Sequence, residues 1–343
     1  MARIKHPLTR SLCEARSNQV FEVDGEEYVL GGRLGDGAVG IVRRGTRTHG
    51  KAVRAVKFLA PDPKYIDENV FDDVAHRFRR EGERGSKLDH PHLVKVFRYC
   101  ENEEGCLFED NLTKNPFLLM ELVPGKRTLD SKIKGLPAED RQGFDVTQER
   151  LNIAIQVASA LKYLQTLRLV HRDVKPANIF IRRRRTAHGI PQAKLGDFGV
   201  TKWGDFNASF ATGTLTVTHQ KGLGTLKYMS PEQALSPKDV GVRSDIYSFG
   251  ITLFELFTGQ ILGTAHHVYQ IMNARMRRGG TALGRFLSIG HSLRGGDEHL
   301  AAMILDMFHR SADSRPSINT VLGTLQWEYE SRFSSDWRSD ISQ

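Results

Sequence analysis

The sequence predicts an α+β chain of two lobes, a small strand-rich one followed by a larger helical one, with the boundary near Val123-Gly125. Three features predict it. From about Tyr28 to Pro124, β-prone runs such as VLGGRLG, GIVRRGT and AVRAVKFL alternate with Gly-rich turns. Beyond Gly125 apolar residues recur at helical spacing, as in Leu151, Ile155, Ala158, Leu161 and Leu164. Ser244 to Thr258 is apolar on most sides, as a helix inside a core would be. The 343 residues, 39% hydrophobic and 26% charged, suffice for one large core or two adjacent ones.

Residues 1–27 are read as an extension. The first twenty hold no continuous apolar core, which excludes a secretory signal; their Arg and Ser content suits a transit peptide, but Glu14 counts against one. In the small lobe, the three strand-like runs are followed by a polar segment with Pro61 and Pro63, then a helix from about Asp72 to Leu88. Gly82 and Gly85 lie in that helix, and each costs roughly 0.5–1 kcal/mol of helix stability relative to Ala. A loosely held helix is therefore expected. LVKVFRY and FLLMELV read as strands, separated by an acidic loop from Glu101 to Asn115. In the large lobe, Thr147 to Leu167 is an amphipathic helix. Ile246 to Phe257 is too short and too interrupted to span a bilayer. Residues 326–343 form a tail with Trp327, Tyr329, Phe333 and Trp337, which either packs back or serves a partner.

Three cysteines, Cys13, Cys100 and Cys106, make neither a disulfide framework nor a zinc pattern, so a reducing, cytoplasmic setting is expected. Net charge is +9, and the basic residues fall in short clusters at Arg43-Arg44, Arg77 to Arg80, Arg182 to Arg185 and Arg275 to Arg278. These suit solvated faces or acidic partners. No zinc pattern, RNA-binding signature or regular basic heptad points to nucleic acid.

Gly35-x-Gly37-x-x-Gly40 lets backbone amides approach phosphates without a Cβ in the way, but the same spacing occurs in dinucleotide-binding turns and in plain hairpins. Gly40 runs into the strand-like IVRRGT rather than a helix, which favours a hairpin over phosphates. Fifteen residues after Val42 comes Lys57, which needs an acidic partner to serve a phosphate. Glu81 and Glu83 are the candidates, about 200° apart on one helix. Glu81 shares a face with Phe78 and is preferred. The run His171-Arg172-Asp173-Val174-Lys175-Pro176-Ala177-Asn178 places a carboxylate, a cation and an amide oxygen in one loop. A carboxylate can accept a hydroxyl proton, a cation can meet developing charge, and an oxygen can hold a metal, which is the set γ-phosphoryl transfer needs. Nineteen residues after Asn178, beyond a β-hairpin, Asp197-Phe198-Gly199 adds a second oxygen ligand for Mg²⁺.

With LGDGAVGIV, AVK, HRDVKPANI, DFG, Gly224-Thr225-x-x-Tyr228-x-Ser230-Pro231-Glu232 and SDIYSFG, the chain resembles the eukaryotic-type (Hanks-type) serine/threonine protein kinases. RFRREG, HPHLVKV and YMSPEQ resemble their bacterial branch. The resemblance covers about Tyr28 to Leu325 and implies the two-lobed kinase fold, with lobes at 28–123 and 125–325. It implies ATP with Mg²⁺, or Mn²⁺ in its place, and protein substrates bearing Ser or Thr. Leu34, Val42 and Ala55 would sandwich adenine, Met120 would guard the pocket behind it, and Glu121 and Val123 would offer hinge backbone groups. Asp245 would anchor the catalytic loop, Glu232 would pair with Arg315, and Lys175 with Thr225 would complete the catalytic set beside Asp173. The segment between Asp197 and Glu232 holds Thr212, Thr214, Thr216 and Thr218. Autophosphorylation is expected there, foremost at Thr216 and Thr218, in trans within a homodimer. The phosphate would pair with Arg172 and with Lys194 or Lys202. A catalytically dead relative, a small-molecule phosphotransferase and a scaffold are the competing functions.

Overall fold

The computed structural model describes residues 18–37, 39–61, 71–101, 106–108, 116–125, 127–137, 145–182, 190–197, 227–235, 240–259 and 298–333. They divide into two compact units, one of residues 18–89 with 94–122, the other of 90–93, 123–197 and 227–333.

The first unit is a sheet with one helix. Its strands are β1 (Val20–Val23), β2 (Glu26–Asp36), β3 (Gly40–Arg47), β4 (Val53–Leu59), β5 (Val96–Cys100), β6 (Cys106–Phe108) and β7 (Phe117–Glu121), in the spatial order β5-β7-β4-β3-β2-β1-β6. The order forces a shape. A flat sheet would hold its two edge strands about 29 Å apart, yet six residues of chain from Cys100 to Cys106 reach at most roughly 21 Å. The sheet must curl. Its concave side is filled by a cluster including Phe21, Tyr28, Leu30, Ile41, Val56, Phe58, Cys100 and Phe117. Phe21 is fully buried, stacked on Tyr28 at 5.4 Å and edge-on to Phe117 at 5.8 Å.

Two strands lie in stretches read from sequence as extension and loop. β1 pairs with β2 and with β6, Phe21 facing Tyr28 on one side and Phe108 on the other. Residues before Tyr28 thus contribute to this core. Cys100 is disulfide-bonded, its partner cysteine lying outside the described side chains. This stands against the expectation that the cysteines form no disulfide framework; their spacing along the chain carries no sign of a pairing.

Helix α1 (Phe71–Gly85) lies on the sheet over Leu59, Val96, Tyr99 and Leu118, to which it contributes Val74 and Phe78. Its glycines, which weaken the helix in isolation, are its points of closest approach: a Cβ on Gly85 would lie 3.0 Å from Val96, and one on Gly82 still closer to its neighbours.

The second unit is mainly helical. Helix α2 (Leu129–Lys134) starts from a Thr128/Ser131 capping box. In α3 (Gln148–Thr166), Thr147 accepts the Arg150 amide hydrogen as N-cap. A hairpin of β8 (Ile179–Arg182) and β9 (Gln192–Leu195) follows, then α4 (Pro231–Leu235), α5 (Val242–Thr258), α6 (Glu298–Met307) and α7 (Ile318–Phe333). Every residue of α5 from Ser244 to Thr258 is buried, as expected from its composition, and Gly259 ends it in the left-handed conformation at φ 66°. Helix α7 runs through the boundary drawn at residue 325. Within the stretch read as a tail, Tyr329 is fully buried and its hydroxyl accepts a hydrogen bond from Gln148, while Trp327 is 57% exposed. Among the described residues no helix is long and apolar enough to cross a membrane.

Candidate active site

In the first unit, Gly35 pairs with Val42 and Asp36 with Ile41, so the glycine-rich run is a hairpin turn between β2 and β3 and opens no helix. Its glycines are there for different reasons. A Cβ on Gly40 would lie 2.2 Å from the Phe58 carbonyl oxygen, so the sheet itself requires that glycine. Around Gly35 and Gly37 a Cβ would meet nothing within 4 Å. Packing does not demand glycine there, whereas close approach of a phosphate to the backbone would. Lys57 stands on β4 with its ammonium 3.1 Å from Glu81 Oε1, the carboxylate only 3% exposed. Glu83 faces away and pairs with Arg79 at 2.9 Å. The preference for Glu81 is thus matched by the geometry. Ala55 pairs with Met120 across β4 and β7, and Ala55 is buried while Leu34, Val42 and Met120 are half-buried. The Glu121 amide donates to the Lys95 carbonyl, which pins the end of β7.

In the second unit, the loop 171–178 is held from below by α5. Asp245 accepts the His171 amide at 2.7 Å through Oδ2 and the Arg172 amide at 2.8 Å through Oδ1. The His171 ring, fully buried, takes the Asp173 amide on Nδ1 at 3.3 Å. Arg172 is consequently fixed at φ 68°, a left-handed backbone that costs a non-glycine residue about 1–2 kcal/mol. The bonds on either side of it hold it there. On Asp173, one carboxylate oxygen receives both the Lys175 ammonium at 3.0 Å and the Asn178 side-chain amide at 2.7 Å. Asn178 also donates to the Asp173 carbonyl at 2.9 Å. Its NH₂ is spent on Asp173, and its amide oxygen is the group left for a cation. The Gly196 amide donates to the Asn178 carbonyl at 2.9 Å, continuing the β8–β9 ladder. That ladder brings Asn178 and Asp197 to one end of the hairpin. Asp197 has a left-handed backbone too, φ 55°. An amide oxygen and a carboxylate are hard donors, and two of them fit Mg²⁺, which fills its remaining positions with phosphates and water.

Burial pushes the Asp245 carboxyl up to about 7, against the His171 and Arg172 amides and the Arg172 charge, which favour the ionised form. The sign follows from linkage. The folded state holds this proton at pH values where the unfolded chain has lost it, so the group's contribution to stability is full below the ordinary carboxylate range of about 4 and is lost as pH rises through about 7. Urea unfolding of wild type and Asp245→Asn at pH 5 and pH 8 should show wild type losing ground to the variant as pH rises. A difference independent of pH would remove this assignment.

Three groups in this unit, Lys227, Tyr228 and Glu255, take no role from the sequence alone, although Tyr228 stands in the motif quoted above. Glu255, in the last turn of the apolar α5, accepts the Lys227 ammonium at 2.8 Å and the Tyr228 hydroxyl at 2.6 Å. The Tyr228 carbonyl in turn accepts from Ser248 at 2.7 Å. A carboxylate among apolar neighbours needs such partners, and Glu255 between Phe254 and Leu256 in this apolar run is the signal that could have found them. The Glu232–Arg315 pair is present and bidentate, at 2.6 and 2.8 Å. Lys194 corrects an expectation. It is buried and donates to the Leu93 carbonyl at 3.2 Å, because β9 turns it inward, so it is committed to the fold rather than to a phosphate. Phe198, Thr212, Thr214, Thr216, Thr218, Lys202, Gly224, Thr225, Trp337 and Arg183 to Arg185 lie outside the described residues.

Comparison with known proteins places these features together. The family model for the protein kinase domain matches residues 28–326. The serine/threonine-protein kinase PrkC of Bacillus subtilis is 35% identical over 211 residues, 60% of this chain and 26% of PrkC. PknB of Mycolicibacterium smegmatis, also named a serine/threonine-protein kinase, is 31% identical over 242 residues, 68% of this chain and 33% of the relative. The matches thus span about a quarter to a third of these relatives' length. A double mutant of the Mycobacterium tuberculosis PknI kinase domain superposes with a TM-score of 0.59 at 20% identity, covering 92% of this chain and 99% of that one. That likeness establishes the fold.

Proposed function

We propose that this chain, which belongs to the protein kinase domain family, is an ATP-dependent serine/threonine protein kinase of the bacterial kind. The observation that carries the proposal is the loop around Asp173: one carboxylate, buried and held by Asp245 through the backbone, with Lys175 and Asn178 on the same oxygen. A scaffold has no need of that constellation.

Each residue takes a role from its chemistry. Asp173 orients the Ser or Thr hydroxyl of a protein substrate and accepts its proton as the oxygen attacks. Lys175 balances negative charge near that oxygen, with Thr225 as its partner in the catalytic set. In the first unit Lys57, steadied by Glu81, holds phosphate oxygens beside the amides of Gly35 and Gly37. Leu34, Val42, Ala55, Met120, Glu121 and Val123 receive the adenine. ATP supplies the phosphoryl group, and Mg²⁺, with Mn²⁺ as the alternative, would bind Asn178 and Asp197 and neutralise phosphate charge. A cytoplasmic setting suits an ATP-dependent enzyme, although the Cys100 disulfide is unusual for a reducing compartment.

Autophosphorylation at Thr216 and Thr218, between two copies, is the regulatory part of the proposal. A phosphate brings roughly −1.5 to −2 charges and three acceptor oxygens, and Arg172 is its partner. Incubation with ATP and Mg²⁺ followed by peptide mass spectrometry should place phosphate within Thr212 to Thr218, with Asp173→Asn as the blank. Labelled ATP with a generic basic protein in the same experiment separates a protein kinase from a small-molecule phosphotransferase and from a dead relative. An active enzyme whose segment stays unmodified would end the regulatory part. Absence of any transfer would end the whole.

A further inference from the structure

We infer that Gly82 is a positioning residue for the Lys57–Glu81 ion pair: its missing side chain lets α1 lie close enough to the sheet for Glu81 to reach Lys57. The inference rests on reading that pair as the phosphate-holding one. Lys57, Leu118 and Tyr99 stand directly opposite one another across β4, β7 and β5. Opposed residues project from the same face of a sheet. Glu81 meets the first member of this row at 3.1 Å, and the next residue of the helix meets the other two. A Cβ on Gly82 would lie 2.5 Å from Leu118 Cδ2, and 2.7 Å from both Cβ and Cδ2 of Tyr99. Leu118 is fully buried and Tyr99 8% exposed, so neither has room to swing aside. Tyr99 Cβ is moreover fixed to its strand. The helix must give instead, and Glu81, in the same rigid turn, moves with it.

Two opposite outcomes follow for Gly82→Ala. On helix propensity alone alanine tightens α1. On the packing the structure shows, alanine lifts α1 off the sheet and draws Glu81 from Lys57.

The test is a double-mutant cycle with Glu81→Gln, read on kcat/KM for phosphotransfer to a generic basic protein. A displacement on the order of 1 Å should cost Gly82→Ala about 100-fold in the wild-type background. In the Glu81→Gln background the same change should cost less than about 3-fold, because the displaced group no longer matters. A second readout needs no turnover: acylation of the Lys57 amine, followed by mass spectrometry without nucleotide, should rise in Gly82→Ala to the Glu81→Gln level. Equal losses in both backgrounds, or Lys57 acylation at the wild-type rate, would overturn the inference. If wild type transfers no phosphate, the kinase reading fails, and the acylation arm still decides the role of Gly82. Should Gly82→Ala not fold, Gly85→Ala carries the same cycle, since its methyl meets Val96 at 3.0 Å. It should show a smaller loss with the same dependence on Glu81, and an additive loss there counts against the inference equally.

Discussion

Replacing Asp173 with Asn should lower phosphotransfer by about 10²–10⁴-fold while the protein stays folded. The Asp173 carboxylate is the proposed proton acceptor, and an amide cannot take a proton in its place. The fold should survive because Asn can turn its one oxygen to the two donors that now share Asp173 Oδ2, the Lys175 ammonium and the Asn178 amide. The bonds that the His171 and Arg172 amides donate to Asp245 do not involve this side chain. An unfolding free energy within about 1–2 kcal/mol of wild type is therefore expected. Asp197→Ala should be as inactive and as well folded, since its proposed ligand is the metal. Lys57→Met should be as inactive but less stable, because it takes the ammonium 3.1 Å away from the buried Glu81 carboxylate. Steady-state turnover beside thermal unfolding is the check. Asp173→Asn retaining turnover within tenfold of wild type would mean that the proton goes elsewhere and that the loop has been misread.

Local chemistry is what makes parts of this protein legible in its sequence. The loop His171 to Asn178 reads directly, because its carboxylate, cation and amide lie within a few residues of one another and meet on one oxygen of Asp173. Helix α5 reads from its unbroken apolar character. The choice of Glu81 over Glu83 follows from the 100° step of a helix and needs no tertiary information. Less legible are features set by strand order. The curl that buries Phe21 and brings β1 and β6 into the sheet depends on which strands are neighbours, and residues 20–23 carry no signal of their own beyond a short β-prone run. Lys194 is no more legible, since its burial follows from the face of β9 it occupies. Gly82 misleads in a different way. Propensity marks it as a weak point, whereas its cause is the backs of Tyr99 and Leu118, residues distant in sequence.

Arg315→Met should be the most damaging single change outside the catalytic groups, costing roughly 3–5 kcal/mol at pH 7, as loss of one partner from a buried ion pair does. The Arg315 side chain is fully buried. Its two terminal nitrogens hold both oxygens of Glu232, and the guanidinium also donates to the carbonyls of His309, Arg243 and Arg310 while lying 5.0 Å over the Tyr247 ring. Methionine fills part of the volume and makes none of these bonds. Glu232 would keep the Ser244 hydroxyl, at 2.6 Å, and its own backbone amide against its desolvation. Because the damage is an uncompensated charge, Glu232→Gln combined with Arg315→Met should cost less than the two single losses added. Acid supplies an independent check. Burial alone would raise the Glu232 carboxyl, but the hydrogen bonds from Arg315 and Ser244 outweigh it and hold the group below its usual value. The pair's contribution is thus full above the ordinary glutamate range and is lost as pH falls through the lowered value. The deficit of Arg315→Met, measured by denaturant unfolding, should accordingly shrink as pH is taken below about 4. A deficit under about 1 kcal/mol at pH 7 would put this pair among exposed bridges that contribute little, and α4 would then be held in place by something other than Arg315.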